Sequence, residues 1–456
     1  MYVLYSFLLT LGVIALLPRF LWDAFRHGKY VAGFGQRLGR LPAIETEGKP
    51  VIWLHCVSVG EAQAARPLAR SVLERFPTHA LVVSTTTLTG QRIAREVFRT
   101  EAAAVIYFPF DWAWTVRRSL RRINPSVMLV METELWPNFL RECRRLCVPV
   151  AIVNGRLSER SFRRYRIIRR FTRRIVQDIK LALMQTEADA GRMRALGLAH
   201  ERVIVSGNVK FDAPDSAAEE ELTADLRQRF HLSEARPLIV AASTHAPEER
   251  IILEAFKQLR SAHGYEQVRL LIAPRHPERF QEVAALLKSS GPVWSRRSEP
   301  QSESDATCDV ILLDSIGELR AAYPPAQIVF VGGSLTPTGG HNVLEPAAVG
   351  ACTVTGPHTF NFTAIIRAFL EADALVQLPS LPEKDAPKAL ANTLKALLGD
   401  DERRRAIGER ARAVLEQNRG ATERTTELLT TLFASFSTDS SEQTQTEGAA
   451  ARELSR

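Results

Sequence analysis

The stretch VIWLHCVSVGEAQAARP, residues 51–67, decides the fold of this 456-residue chain. An apolar run ends in small residues, and a single carboxylate, Glu61, follows before a helical pattern begins. This order predicts a parallel strand that feeds a helix through a tight turn, and such turns lie at the edge of an open α/β sheet where ligands bind. Glu61 is therefore placed at the mouth of a site. It is either a catalytic carboxylate or a helix-start residue that interacts with the positive end of the helix dipole.

Apolar runs alternate with helical patterns along most of the chain. They occupy 51–59, 80–85, 104–108, 126–131, 148–153, 181–185 and 202–206 in the first half, and 237–242, 269–273, 309–313, 327–332 and 351–355 in the second. Continuous apolar runs between polar turns are typical of parallel strands buried on both faces. Because the chain is too long for one ordinary core, the pattern predicts an α/β fold with two doubly wound Rossmann-like domains that face each other across a cleft.

Changes in composition predict the domain boundaries. We expect a membrane anchor over 1–25, an N-terminal domain over 26–210, a linker over 211–236, a C-terminal domain over 237–436 and a disordered tail over 437–456. The linker is acidic and alanine-rich, and the tail is polar, as disordered segments are.

The first 17 residues are apolar and carry no charged side chain. With the residues that follow, they are about long enough to span a bilayer. Basic residues from Arg19 to Arg40 follow this segment and none precedes it, so the positive-inside tendency keeps the body of the protein in the cytoplasm. A signal peptide would have a basic start and a small-residue cleavage site. We therefore expect an uncleaved anchor that spans the membrane or lies partly in its interface.

The formal net charge of +8 indicates an anionic partner. Arginine is concentrated between Arg156 and Lys180, where apolar residues recur at helical spacing; these are Phe162, Tyr165, Ile168, Ile175 and Ile179. The pattern predicts a basic amphipathic helix, which either meets an anionic bilayer or a phosphorylated lipid or is a solvated face above a core stripe. Because the stretch lacks a recognition module, nucleic acid is disfavoured as a partner.

The five cysteines are scattered and odd in number, which predicts reduced thiols in the cytoplasm. Cys143 and Cys147 lie four residues apart without His or further Cys nearby. That pair falls short of a metal site.

The segment GGSLTPTGGHNVLEPAAVG, residues 332–350, follows a strand and is predicted to open a helix at about Asn342. Its glycines allow backbone amides to approach a ligand closely, and a helix start supplies unpaired N–H groups. The segment predicts a phosphate cradle, although it matches neither standard nucleotide-binding glycine motif. Glu345 either binds ribose hydroxyls or is an ordinary helix carboxylate.

Small, polar or basic groups end several strands of the second domain, as a nucleotide pocket requires. They are Ser243 to His245, Pro274 to His276, and Ser315, Ile316 and Gly317. Arg275 is placed to grip a phosphate with its two-pronged guanidinium.

The first domain also presents charged residues after its strands. Glu132 and Glu134 follow one strand, and Lys210 ends the last strand before the linker. Lys210 either meets negative charge in the site or is a solvated lysine. A paired-carboxylate hydrolase using Glu61 and Glu132 stays open. That mechanism depends on the distance between the two carboxyl groups, which the sequence does not give.

Together these motifs resemble the 3-deoxy-D-manno-octulosonic acid (Kdo) transferase family, membrane-associated glycosyltransferases of Gram-negative lipid A assembly. The matching segments are SVGE at 58–61, TTLTG at 86–90, ETELWPN at 132–138, NGRLSERSF at 154–162, GNVKFD at 207–212, PRHPERF at 274–280 and GGHNVLEP at 339–346. The chain departs from the family pattern at SIGEL, 315–319, and at Val343, both by apolar replacements.

The resemblance implies a GT-B glycosyltransferase in the cell inner membrane, with its body on the cytoplasmic side. It implies that the first domain binds a lipid A precursor, that the second binds CMP-Kdo, and that no metal or other cofactor is needed. Glu61 would be the general base of an inverting transfer to a glucosamine hydroxyl, and Glu132 and Lys210 would assist the transition state or hold the donor. The CMP-binding segments would be Pro274 and Arg275; Ser315, Ile316 and Gly317; and Asn342, Val343, Leu344 and Glu345.

Two alternatives stay open beside this reading. One is a GT-B enzyme that uses a UDP- or GDP-sugar. The other is a non-catalytic, membrane-tethered module that binds anionic glycolipid through the segment from Arg156 to Lys180. In the enzymatic reading, the helix start is expected to keep Glu61 charged at neutral pH.

Overall fold

The computed structural model describes residues 1–27, 33–212, 218–233 and 235–433, with side chains described for all of these except 17–27 and 218–219. The chain forms two compact units. The N-terminal unit comprises Met1–Asp212 and the residues from Arg419 onward, and the C-terminal unit comprises Ala213–Asn418. The predicted tail at 437–456 lies outside the described residues, as do parts of the predicted linker and the side chains of 17–25 in the predicted anchor.

The N-terminal unit is built on a seven-stranded parallel sheet with strand order β3-β2-β1-β4-β5-β6-β7. The strands are β1 Val51–His55, β2 Ala80–Thr85, β3 Ala102–Tyr107, β4 Pro125–Met131, β5 Val150–Gly155, β6 Leu181–Met184 and β7 Val203–Val205. The helices are α1 Tyr2–His27, α2 Phe34–Arg37, α3 Val59–Arg75, α4 Leu88–Val97, α5 Ala113–Ile123, α6 Pro137–Arg145, α7 Glu159–Ile167, α8 Arg169–Val176 and α9 Glu187–Leu196, with short 3₁₀ turns at His200–Arg202 and Val209–Phe211.

The C-terminal unit repeats this architecture, with strand order β10-β11-β9-β8-β12-β13-β14 and parallel pairing throughout. Its strands are β8 Leu238–Thr244, β9 Arg269–Pro274, β10 Trp294–Arg296, β11 Val310–Leu312, β12 Ile328–Val331, β13 Cys352–Thr355 and β14 Val376–Gln377. Its helices are α10 Ala218–Arg229, α11 Glu248–Arg260, α12 Phe280–Ser290, α13 Ser304–Thr307, α14 Leu344–Ala348, α15 Thr363–Glu371, α16 Ala386–Leu398 and α17 Asp401–Asn418, with 3₁₀ turns at Pro277–Arg279, Leu319–Ala322, Phe360–Phe362 and Glu383–Asp385.

The central strands are buried on both faces. All five residues of β1 are buried; Trp53 lies in the core on one face of the sheet, and Ile52 and Leu54 lie in the core on the other. This explains why the apolar runs located the strands well. The edge strands β10 and β14, of three and two residues, were not predicted from the sequence.

In each sheet, the chain reverses its direction of travel at one pair of neighbouring strands. These pairs are β1 with β4 in the N-terminal unit and β8 with β12 in the C-terminal unit. The loops that follow two such strands diverge to opposite sides of the sheet and leave a crevice, which is where open α/β sheets bind ligands. Glu61 follows β1 and Glu132 follows β4, so both lie at the crevice of the N-terminal unit.

A final helix, α18 at 421–433, packs on the N-terminal unit, so its assignment to the C-terminal domain was wrong. Leu429 is buried in the same core as Leu54 of β1. The Asp212 carboxylate accepts the backbone N–H groups of Gly420, at 2.7 Å, and Thr422, at 2.6 Å. The sequence pattern does not predict that α18 packs on the N-terminal unit, because the residues that hold this helix lie more than 200 positions earlier in the chain.

The predicted basic helix over 156–180 is instead two helices, α7 and α8, separated at Ile168. Ile168 is exposed, against the prediction that it belongs to a buried stripe. Ile175 and Ile179 are buried, and Phe162 and Tyr165 pack against the core. The break lets each short helix turn its own apolar side chains inward while the arginines stay in solvent.

Helix α1 lies against the N-terminal unit by one face. The Ser6 hydroxyl accepts the Asn138 side-chain amide at 2.9 Å, and the Thr10 hydroxyl accepts the indole N–H of Trp112 at the same distance. Leu4, Phe7 and other apolar side chains between Val3 and Leu16 are exposed. In the part of the chain that the structure describes, no helix combines the length and the apolar character needed to cross a membrane.

Asp212→Ala should loosen α18, because the substitution removes both acceptors of the N–H groups that precede and begin the helix. We expect a loss of about 1–2 kcal/mol in the local stability of this helix, as for other helix-start acceptors. Hydrogen exchange of the amides at 421–433 measures it. Asp212→Asn keeps one acceptor oxygen and should lose less. Unchanged exchange in Asp212→Ala would show that core packing alone holds α18.

Candidate active site

Glu61 occupies the third position of α3, and two donors hold its carboxylate. The Val57 backbone N–H donates to Oε2 at 2.8 Å, and the Ser58 hydroxyl donates to Oε1 at 2.9 Å. Ser58 also caps the helix by accepting the Glu61 N–H at 3.3 Å. This reciprocal pairing, a variant of the capping box, fixes the rotamer of Glu61. The residue is 8% exposed, so the carboxylate is held in a nearly buried position.

The expectation that Glu61 is fully charged at neutral pH is wrong. Burial raises the pKa of Glu61 to about 7, with a further increase from the negative charge of Glu132, and these outweigh the Val57 and Ser58 hydrogen bonds. Desolvation disfavours the charged form of a carboxyl group, and a like charge nearby does the same. Glu61 is therefore divided between its acid and base forms near neutral pH.

Glu132 lies directly after β4 and forms an ion pair with Lys210. The Lys210 Nζ is 3.2 Å from Glu132 Oε1, and both side chains are about three-quarters buried. Glu132 has a φ of 55°, in the left-handed region, and its N–H donates to the Val153 carbonyl at 3.0 Å. Strained backbone of this kind is tolerated where neighbouring structure determines it and is concentrated at functional sites.

Glu134, two residues further on, is a third carboxylate of this cluster. Burial raises the pKa of Glu134 to about 7, and the charge of Glu132 contributes. Burial raises the pKa of Tyr165, and the negative charge of Glu134 raises it further. Tyr165, and with it α7, therefore lies close to this cluster. The segment between β4 and α6 is held at its α6 end by Asp111, whose carboxylate accepts two backbone N–H groups at the start of that helix.

Lys210 is positioned by two asparagines. The Asn154 side-chain oxygen accepts the Val209 N–H, and the Asn208 side-chain oxygen accepts the Lys210 N–H, each at 3.1 Å. Like Glu132, Asn154 has a backbone in the left-handed region, with a φ of 54° near the end of β5. The structure thus brings Glu61, Glu132 and Lys210 into one cluster, as the sequence predicted for charged residues at strand ends.

In the C-terminal unit, an internal carboxylate fills half of the predicted phosphate cradle. Glu248 is fully buried, and its two oxygens accept the N–H groups of Gly333, Ser334 and Leu335 at 2.7–2.8 Å and of His245 at 3.0 Å. These amides are therefore not free for a ligand, against the prediction. A Cβ at position 332 would lie 2.9 Å from Glu248 Oε2, so glycine is needed to admit this carboxylate.

The helix after the cradle begins at Leu344, later than predicted, and has only five residues. Its first N–H donates to the Asn342 side-chain oxygen at 3.0 Å, so this donor too is used internally. Val343 and Leu344 are buried in the core, so neither side chain is available to a ligand. The Asn342 amide donates to Glu345 Oε1 at 3.2 Å, which ties these two polar candidates to each other.

The remaining predicted donor residues lie after β9 and β11. Pro274 ends β9, and the Arg275 side chain is exposed and has no described hydrogen-bond or ion-pair partner within the covered ranges. Ser315 has a buried hydroxyl without a partner among the described residues, Ile316 is 81% exposed, and Gly317 has a φ of 89°. Arg275 and Ser315 therefore have unused polar groups.

Sequence comparison decides the family. The sequence model described as 3-Deoxy-D-manno-octulosonic-acid transferase (kdotransferase) matches residues 32–213. A 3-deoxy-D-manno-octulosonic acid transferase from Haemophilus influenzae is 37% identical over 378 residues, which cover 83% of this chain and 86% of that protein. The chain belongs to the Kdo transferase family. It is a glycosyltransferase, and the resemblance inferred from its motifs is confirmed.

Two solved structures were also compared with this Kdo transferase. The C-terminal CMP-Kdo binding domain of WaaA from Acinetobacter baumannii is 37% identical and covers 44% of this chain and 100% of its own, with a TM-score of 0.40. The UDP-GlcNAc 2-epimerase from Neisseria meningitidis is 14% identical and covers 84% of this chain and 100% of its own, with a TM-score of 0.55. The second likeness shows that the α/β fold of this Kdo transferase is shared with a sugar-nucleotide enzyme.

Two site residues of this Kdo transferase were missed from the sequence. The sequence does not distinguish Glu248 from an ordinary helix-start carboxylate, and only the placement of four backbone N–H groups in the folded chain reveals its role. His341 was passed over inside the glycine segment, although His245 at the neighbouring strand end was noted. The Nε2 atoms of these two histidines are 2.8 Å apart. A histidine directly after β8 and another in the loop after β12 were the available signal.

Glu132→Gln should lower the pKa of Glu61 below 7, because removing the neighbouring negative charge makes the carboxylate of Glu61 less costly. At pH 7 a larger fraction of Glu61 would then be ionised. Carbon-13 NMR titration of the glutamate carboxyl groups measures this shift without requiring activity. Glu134→Gln is the control and should lower the pKa less, because its charge contributes least to the shift. An unchanged or raised pKa in Glu132→Gln would contradict the electrostatic coupling.

Proposed function

We propose that this Kdo transferase moves Kdo from CMP-Kdo to a glucosamine hydroxyl of a lipid A precursor, with inversion, and that Glu61 is the general base. The observation that carries the proposal is the Glu61 carboxylate itself. It is nearly buried, oriented by Val57 and Ser58, and has a pKa of about 7 at the crevice of the N-terminal sheet.

A base with such a pKa suits the reaction. A general base is most effective when its pKa lies near the operating pH, because it is then both ionised in a useful fraction and basic enough to accept a proton. The acceptor hydroxyl loses its proton to Glu61 as its oxygen bonds to the anomeric carbon of Kdo. The bond from that carbon to the phosphate oxygen breaks, and CMP leaves with the electron pair on the opposite face.

The Glu132 and Lys210 pair supports this step electrostatically. Glu132 helps to raise the pKa of Glu61, and Lys210 brings an ammonium group into the same cluster through its ion pair with Glu132. A fixed charge that is already in place when negative charge develops stabilises the transition state without reorganisation. This pairing favours glycosyl transfer over a paired-carboxylate hydrolase, because the second carboxylate is held by a lysine.

The donor is assigned to the C-terminal unit. Arg275 supplies a free guanidinium at the end of β9, suited to a phosphate. The acceptor is assigned to the N-terminal unit, as in the GT-B architecture expected from the sequence.

We also propose that α1 and α8 attach the protein to the cytoplasmic face of the inner membrane. An open groove of about 730 Å³ is lined by apolar side chains of α1 and by the junction of α7 and α8, which contributes Arg166, Arg169 and Arg170. Apolar side chains of α1 are exposed beside it. Exposed apolar side chains with a basic rim match the interface of an anionic bilayer, where each arginine near the surface contributes about 1 kcal/mol.

Glu61→Gln should reduce transfer by about 10² to 10⁴-fold, because glutamine keeps the shape of the side chain but accepts no proton. The assay combines CMP-Kdo with a tetraacylated lipid A precursor and measures CMP release and the product mass. CMP binding, measured by calorimetry, should be unchanged. Retained turnover would exclude Glu61 as the base, and a wild-type protein that makes no Kdo-lipid product would refute the proposed function.

The pH dependence gives a second test. Transfer by the wild type should fall as the pH drops below about 7, because protonated Glu61 cannot accept the hydroxyl proton. The pH profile of kcat at saturating substrates measures this. A rate that stays constant from pH 8 to pH 5 would contradict the assignment.

Arg169→Gln with Arg170→Gln should lower binding to phosphatidylglycerol vesicles by more than about tenfold, because two surface charges are removed. Vesicle co-sedimentation measures the partition. Arg367→Gln with Arg405→Gln is the matched control, since both of these arginines are 77% exposed on the C-terminal unit. Equal loss in the two double variants would contradict a specific membrane surface.

A further inference from the structure

Three histidines meet at the carboxyl ends of three neighbouring strands in the C-terminal unit. His245 follows β8, His276 follows β9, and His341 lies in the loop after β12. The rings of His245 and His341 are stacked with centroids 5.0 Å apart, and the ring of His276 meets that of His245 edge-on at the same distance. The group lies at the strand pair where this sheet changes direction, which is where a ligand is expected.

The contact between His245 and His341 requires a particular proton arrangement. Their Nε2 atoms are 2.8 Å apart, so one ring must donate its N–H and the other must accept with a lone pair. The Nδ1 atoms of both rings lack a hydrogen-bond partner among the residues that the structure describes. With both rings neutral, one Nδ1 carries a proton and the other does not. One added proton would make both Nδ1 atoms donors.

The charges around the pair favour an anion. Burial is the largest cause that lowers the pKa of His245 and of His341, which falls to about 3. The positive charges of Arg275 and His276 lower both further, Arg279 lowers that of His245, His245 lowers that of His341, and Glu249 raises that of His245. Glu249 is already engaged by Arg279 at 2.7 Å, and His276 Nδ1 lies 3.9 Å from Glu278. The histidine pair therefore stays neutral until a bound anion compensates the positive charge of an added proton.

The glycine loop is built to present this pair. A Cβ at Gly333 would lie 2.8 Å from the ring of His341, so only glycine admits the ring there. Glu248 binds the His245 N–H and the amides of the same loop, which fixes the two histidines relative to each other. This is a preorganised arrangement rather than two solvated side chains.

We propose that His245 and His341, with His276 at the rim, form a subsite for the carboxylate of the donor sugar. The inference rests on the proposed function, because Kdo is a 2-ulosonic acid whose carboxylate and phosphate are attached to the same anomeric carbon. A phosphate held by Arg275 therefore brings the carboxylate next to His276 and the pair. Binding takes up one proton from solvent, and the doubly donating pair holds the carboxylate. The subsite selects an acidic sugar over a neutral one.

The test compares KM for CMP-Kdo with the inhibition constant of CMP, which carries the phosphate but no sugar carboxylate. His245→Gln and His341→Gln should each raise KM by about tenfold or more, as the loss of a charge-assisted hydrogen bond does, and should leave the inhibition constant of CMP within about twofold. His263→Gln is the control, because His263 is fully exposed on the same unit. Retained CMP inhibition also shows that the variants fold.

The pH dependence separates the subsite from a structural role. Between pH 7 and 9 the phosphate of CMP keeps its charge, so the wild-type KM for CMP-Kdo should rise with pH while CMP inhibition stays flat. Both histidine variants should lose this slope. An equal rise in the inhibition constant of CMP would assign the pair to the phosphate, and an unchanged KM would remove its role in binding; either overturns the inference. A wild-type enzyme without turnover would instead refute the proposed function.

Discussion

The structure depends on one constraint, the parallel alignment of strands within each sheet. In a parallel sheet all carboxyl ends lie on the same edge, so the residues that follow the strands are gathered there however far apart they are in sequence. At the pairs β1 with β4 and β8 with β12, the following loops also diverge and leave space. The carboxylate cluster and the histidine group lie at these two places. In each unit, the polar side chains therefore lie at the crevice that the diverging loops leave open.

A buried carboxylate plays a different part at each crevice. Glu248 has both oxygens occupied by four backbone N–H groups, and it is fully enclosed. It therefore organises a loop and has no lone pair directed at solvent for chemistry. Glu61 has only two donors, keeps partial exposure, and lies beside the negative charge of Glu132. Burial and the charge of Glu132 raise the pKa of Glu61 to about 7, and its two donors do not offset them, so this carboxylate can take a proton.

Residues at strand ends were predictable because apolar runs in the sequence mark where the strands begin and end. Glu132, Lys210 and Arg275 were all identified in this way. The cradle at Gly333 was misread, because the sequence does not reveal that Glu248 occupies its amides. Similarly, helical spacing between Phe162 and Ile179 suggested one helix, whereas the backbone breaks at Ile168 to bury two separate faces. In both cases long-range packing overrode a correct local pattern.

By itself the sequence determined the α/β class, the two parallel sheets, the family, and the charged residues that follow the strands. These depend on apolar periodicity and on motifs, which are local properties of the chain. Only the tertiary structure decided that α18 returns to the N-terminal unit, that Glu248 fills the cradle, that His245 meets His341, and that the pKa of Glu61 is about 7. The physical reason is that burial, and the distance between charges far apart in sequence, exist only once the chain is folded.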